Sequence, residues 1–138
     1  MKNPEGSRRP APVWALAGVL GVEALLVLAY FVTVIVELFR GDASDVVNGI
    51  AWAVVTFVAV LWVGLCTVGT VLGRSFVRAL AIVWQLLQIA IGVGCLEGYV
   101  GTAWAGWPLI VFGIAGFILV ILPATNRALR GADGHDER

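Results

Sequence analysis

The chain has 138 residues, enough for one domain, with 60% hydrophobic residues, only 13% charged residues and no net charge. A soluble domain carries roughly 25% charged residues, and the deficit here comes from long charge-poor runs of the kind that mark transmembrane helices. No basic excess points to a nucleic-acid partner. The two cysteines, Cys66 and Cys95, lie in apolar runs without the spacing of a metal site.

Residues 1–12, MKNPEGSRRPAP, are polar, basic and Pro-rich and read as a flexible cytoplasmic lead. Ser7-Arg8-Arg9 has the look of a twin-arginine signal, but Pro-Ala-Pro-Val follows it. The apolar run beyond is also far longer than the roughly 7–15 residues of a signal peptide, so an anchored first helix is expected. That first span covers 13–39 and contains Gly18, Gly21, Glu23, Thr33 and Glu37. A crossing takes about 20 residues, so this span tilts or projects. Glu23, Tyr30 and Glu37 recur every seven positions and fall close to one face. The polar turn RGDASD offers Ser44 or Asp45 as the next N-cap.

The second span, 46–73, carries a small and polar stripe: Asn48, Trp52, Thr56, Ala59, Val63, Cys66 or Thr67, and Thr70. Such a stripe reads as a helix contact face with hydroxyls bonding across helices, and Gly69 with Gly73 fits the same idea. Arg74 and Ser75 make a tight turn, which requires antiparallel neighbours. In the third span, 76–96, helical spacing puts Ala81, Gln85, Gln88, Gly92, Cys95 and Tyr99 on one face, all small or polar. Leu80, Trp84, Leu87 and Ile91 fall opposite and suit lipid. This helix is expected to be the inner spine of the bundle.

A Gly-rich link, EGYVGTAWAG, leads to a fourth span at 103–122, starting at Ala103 or Trp107. Tyr99, Trp104 and Trp107 suit an outer aromatic belt. Pro108 is tolerable in a first turn, and Pro123 marks the far end or a bend. Gly113 and Gly116 admit a close neighbour. Arg127 and Arg130 follow, and 131–138, with the sole histidine His135, read as a disordered cytoplasmic tail. The expected fold class is an all-α membrane protein. Residues 13–130 would form one four-helix antiparallel transmembrane bundle.

Charge sets the orientation. Lys2, Arg8, Arg9, Arg74, Arg78, Arg127, Arg130 and Arg138 fall on one side and Arg40 alone on the other. By the positive-inside rule both termini are cytoplasmic in a cell membrane. Arg74, Arg78, Arg127 and Arg130 are read as basic anchors that snorkel to the inner interface. The outer links, with Glu37, Asp42, Asp45 and Glu97, are acidic.

The helical rise sets depth. Glu23 falls roughly 15 Å from the inner end, and Gln85 and Gln88 roughly 14–18 Å, so these three form a candidate intramembrane polar cluster. Cys66 and Cys95 differ by roughly 20 Å in depth, against the ~7 Å limit for a disulfide, and read as small packing residues. An ionisable group in the bilayer is a candidate proton or cation carrier. The reading preferred here is a structural carboxyl hydrogen-bonded to the two amides, with the amides as interhelical glue. The sole histidine lies in the tail, no Gly-rich phosphate loop is present and the loops are short. No catalytic residue, cofactor or metal ligand is assigned, and an enzyme is not expected.

The later half resembles a family of small, uncharacterised four-helix integral membrane proteins of actinobacteria. The residues that carry this are Arg78-Ala79-Leu80-Ala81-Ile82-Val83-Trp84-Gln85-Leu86-Leu87, Trp107-Pro108-Leu109-Ile110-Val111 and Leu122-Pro123-Ala124-Thr125-Asn126-Arg127-Ala128-Leu129. The resemblance implies the four-span topology and lends no catalytic residue. In helix count and in Glu23 alone, the chain is also similar to small multidrug-resistance transporters, whose other helix motifs it lacks. The function expected is a structural or accessory subunit in the lipid bilayer, packed against itself or a larger membrane-protein partner. The alternatives are a small proton-coupled transporter centred on Glu23, or a lipid-binding protein using the outer aromatic link.

The charge count predicts the outcome of a topology experiment. Cytoplasm-active and periplasm-active reporters are fused at Asp42, Ser75, Gly101 and Arg138. Only the fusions at Ser75 and Arg138 should report from the cytoplasm, and an external Ser75 would overturn the orientation.

Overall fold

The structure, a computed structural model, describes residues 10–41, 45–99 and 103–131. Every regular element in it is helical: α1 (Ala11–Arg40), α2 (Val46–Leu72), α3 (Val77–Leu96), α4 (Ala103–Ile121) and a short α5 (Pro123–Gly131). The first four are each long and apolar enough to cross a membrane. They run antiparallel in sequence order, and α4 returns against α1 to close the bundle. The expected four-helix bundle is therefore the observed architecture.

The boundaries follow from backbone chemistry. Pro10 precedes α1 and a proline occupies its first positions, where a missing N–H costs nothing. Ala11 and Pro12 thus belong to the helix rather than to the lead. Asp45 caps α2 by accepting from the Val47 N–H at 3.0 Å; Ser44, the other candidate, lies outside the described residues. At the far end Gly73 takes φ 73°, a conformation glycine reaches without Cβ strain. This lets Gly73 N–H reach Thr70 O at 3.1 Å and Arg74 N–H reach Gly69 O at 2.9 Å, closing the helix before the turn at 73–76. Pro108 is the sixth residue of α4 rather than part of its first turn. Its missing N–H falls opposite the Trp104 carbonyl, at an exposed end of the helix.

Glycines set the α3–α4 approach. A Cβ on Gly106 would stand 2.6 Å from the Gly92 carbonyl oxygen and 2.8 Å from Leu96 Cγ. One on Gly113 would stand 2.6 Å from Ile89 Cγ1. Backbones this close need small residues, the usual basis of packing inside a bilayer. Gly69 serves the same purpose where α2 meets Val77 of α3.

The buried apolar core gathers at the termini end of the bundle: Leu16 and Leu20 of α1, Val63 and Cys66 of α2, Val77, Ala81 and Trp84 of α3, and Val120 of α4. At 1.5 Å per residue, α1 and α2 are ~45 and ~40 Å long, whereas α3 and α4 are ~30 and ~28 Å. The first hairpin therefore runs on past the second. Its extension carries exposed Val36, Phe39, Val46, Val47 and Ile50.

Several expectations are corrected. No fifth helix is expected after Pro123, which the sequence reads as the far end of the fourth span or a bend. α5 is instead a helix whose Thr125 and Leu129 are buried where it packs on α1 and α4, with Arg127 and Arg130 exposed. Gly131 closes that helix, and the rest of the expected tail lies outside the described residues, as do residues 1–9. On α2 the stripe turns inward only from Thr56 onward; Asn48 and Trp52 are exposed. The threonine hydroxyls do not bridge helices. Thr56, Thr67 and Thr70 each donate back to the carbonyl four residues earlier, at 2.8, 2.9 and 2.7 Å, because a short hydroxyl reaches its own helix more readily than a neighbour's. Cys66 and Cys95 are both buried and free.

A single methyl group tests the α3–α4 crossing. Gly106→Ala should lower stability in detergent by about 1–3 kcal/mol, the scale of overpacking a tight contact. Gly18→Ala, with nothing within 4 Å of its added Cβ, should stay within about 0.5 kcal/mol of wild type. Equal effects in thermal or SDS unfolding would show that the crossing is looser than described.

Candidate functional site

Glu23 of α1 and Gln85 of α3 lie level, within hydrogen-bond reach of each other. Glu23 is only 3% exposed, Gln85 0% and Gln88 4%. Among the described residues they sit directly above the apolar core, one turn beyond Leu20 on α1 and Ala81 on α3. The Gln85 Nε2 donates to Glu23 Oε2 at 3.3 Å. The Trp84 Nε1 donates to the same oxygen at 3.0 Å. Gln88 neighbours the carboxyl but gives its amide N–H to the Leu109 carbonyl of α4 at 3.3 Å. One amide thus ties α3 to α1 and the other ties α3 to α4.

Trp84 was assigned to the lipid face and this is corrected: its side chain is 7% exposed and points inward. Position 84 lies 100° around the helix from position 85, and the long indole swings across that angle where a leucine would stop short. The rest of the spine is buried as expected, except Tyr99. That residue follows Gly98, which takes φ 79°, lies beyond the end of α3 and is 82% exposed.

α4 shapes the site through an absent side chain. A Cβ on Gly116 would collide with the Gln85 amide, so glycine there leaves the room that the amide fills. The carboxyl thus joins α1 to α3, and α4 leaves room for the amide that holds it.

The polar atoms do not balance. Glu23 Oε1, Gln85 Oε1 and Gln88 Oε1 are buried and accept no hydrogen bond. Among the described residues no group of three or more His, Cys, Asp or Glu side chains comes together.

The remaining site candidates lie apart. At the termini end, Arg78 Nη1 donates to Asn126 Oδ1 at 3.1 Å, tying α3 to α5, and Arg127 Nε donates to Pro123 O within α5. Arg74 and Arg130 are exposed. At the other end Tyr99, Trp104 and Trp107 are 82%, 76% and 64% exposed, outward at one level of the α3–α4 hairpin. A shallow cleft of ≈ 180 Å³ lies between α1 and α2 near their loop, bounded by Tyr30, Glu37, Asp45, Asn48 and Trp52 among others. Glu23 does not line it.

A double-mutant cycle measures the central contact. Glu23→Leu and Trp84→Phe, singly and together, should show a coupling energy of about 0.6 kcal/mol and at most ~1.7. Glu23→Leu with Trp104→Phe should show none. Glu23→Gln should be near neutral, since its amide oxygen still accepts from Trp84. Zero coupling in the first cycle would mean that the indole does not hold the carboxyl.

Comparisons with protein-family models, with curated proteins and with solved structures gave no match. The four apolar helices make this a small multi-pass membrane protein, with one carboxyl, Glu23, buried in its first span.

Proposed function

We propose that this protein is a structural or accessory subunit that docks a larger membrane-protein partner, with both termini cytoplasmic and the α1–α2 tip outside. The observation that carries this reading is the unequal length of the two hairpins. The hydrocarbon core is ~30 Å thick, which α3 and α4 match, whereas α1 and α2 exceed it by ~10–15 Å. The surplus carries Phe39 and Val47, 86% and 77% exposed. Apolar side chains raised past the lipid on a rigid hairpin suit an interface with another protein.

The polar centre supports the same reading. Glu23 is held by two donors from α3 and is buried. It lies outside the cleft at the hairpin tip. A carboxyl fixed in this way acts as a pin between helices. The basic inner end and acidic tip favour the proposed orientation.

Affinity purification from native membranes tests the proposal. A tagged wild-type protein should retain one partner in fixed stoichiometry. Phe39→Ser with Val47→Ser should lose that partner while unfolding in detergent as wild type does. Proton-coupled flux in liposomes that Glu23→Gln abolishes in a folded protein would overturn the accessory reading in favour of a carrier.

A further inference from the structure

We propose that the Glu23 carboxyl, with the side-chain oxygens of Gln85 and Gln88, binds one monovalent cation taken from solution, a proton or an alkali metal ion. The argument is one of charge and hydrogen-bond balance. A buried carboxylate needs a counter-charge, and among the described residues none is near. Arg78, the basic residue of α3, stands seven residues from Gln85, roughly 10 Å along the helix, and is engaged with Asn126. No other basic side chain occurs in the described parts of α1 between Glu23 and the termini end, or anywhere in α2 or α4.

The groups facing the carboxyl from every packed element are accounted for. α3 supplies the Trp84 indole and the amides of Gln85 and Gln88. α2, which includes Cys66, and α4 carry no charged side chain at all. None carries a positive charge.

The balance of hydrogen bonds points the same way. Both donors to the carboxyl converge on Oε2, leaving Oε1 bare. The oxygens of Gln85 and Gln88 are bare as well. Three acceptor oxygens from side chains at least 96% buried suit a cation and repel one another without it. A proton on Oε1 neutralises the carboxylate and supplies a donor to one amide oxygen. An alkali ion neutralises it and would draw on the unpaired amide oxygens as further ligands, since hard cations prefer carboxylate and carbonyl oxygen. Both supply one positive charge to a buried carboxyl that shares its level with unpaired amide oxygens. The proposal stands whether or not the hairpin tip docks a partner.

The experiment uses the full chain in lipid nanodiscs. The unfolding temperature reports on the site. One series replaces choline chloride by NaCl at constant pH and ionic strength; a second varies pH at constant Na⁺. Infrared spectra follow the carboxyl stretch in both. Ligand bound to the native state raises stability by mass action. An alkali ion therefore gives a wild-type unfolding temperature that rises with Na⁺ and a carboxylate band that shifts with it. A proton gives no Na⁺ effect, a protonated-carboxyl band, and stability that falls as rising pH removes it.

Glu23→Gln should abolish both dependences. Gln88→Leu, which keeps the carboxyl and both of its donors, should weaken cation affinity about tenfold, the scale of losing one neighbour of a bound ion. Should Glu23→Gln fail to fold, the wild-type infrared series and Gln88→Leu decide the matter. A wild-type carboxyl that is ionised throughout, with stability indifferent to both Na⁺ and pH, overturns the proposal. So does an identical response in folded Glu23→Gln.

Discussion

Inside hydrocarbon a polar group finds its partner within the protein or goes without, and in this molecule that constraint falls hardest on Glu23. The indole of Trp84 and the amide of Gln85 answer it from α3. Much of the geometry above the core follows from this contact. It sets α1 and α3, which are not sequential neighbours, at one height. It explains why α4 carries glycine at 116, since any larger residue would displace the Gln85 amide. Toward the termini from this contact the four helices enclose apolar side chains.

Two kinds of packing hold the pairs together. Within the second hairpin, glycines let backbones approach and dispersion does the work. Between the hairpins, long side chains cross the gap. Besides the Glu23 contacts, Trp62 of α2 donates its indole N–H to the Leu80 carbonyl of α3 at 3.2 Å. The hydroxyls, which are shorter, are spent on their own helices. Reach therefore sorts the polar residues here: tryptophan, glutamine and arginine join helices, and threonine does not.

The same distinction decides what the sequence made legible. The spans could be read because apolar runs of that length have few other uses. The shared depth of Glu23 and Gln85 followed from a constant helical rise. Helical spacing assigns a direction to the Cα–Cβ bond, which suffices for alanine, glycine and cysteine and misleads for an indole; hence Trp84 was placed toward lipid and lies inside. α5 escaped notice because a nine-residue helix that opens on proline and carries two arginines has no apolar run to betray it. Leu129 and Thr125 gain their burial only from α1 and α4, so that helix is a product of tertiary structure. The Gly116 contact was expected only as a place of close approach, because the identity of a neighbour across helices is not a periodic property.

The order of synthesis gives the Glu23 contact a history. Gln85 lies 62 residues after Glu23 in the chain. At roughly 5–20 residues per second of translation, that separation is a delay of roughly 3–12 s. Through it the first hairpin exists with its carboxyl unanswered and with no α3 to cover it. The ribosome-bound chain must keep that carboxyl in the aqueous space of the insertion machinery, or neutral in lipid, until the second hairpin arrives.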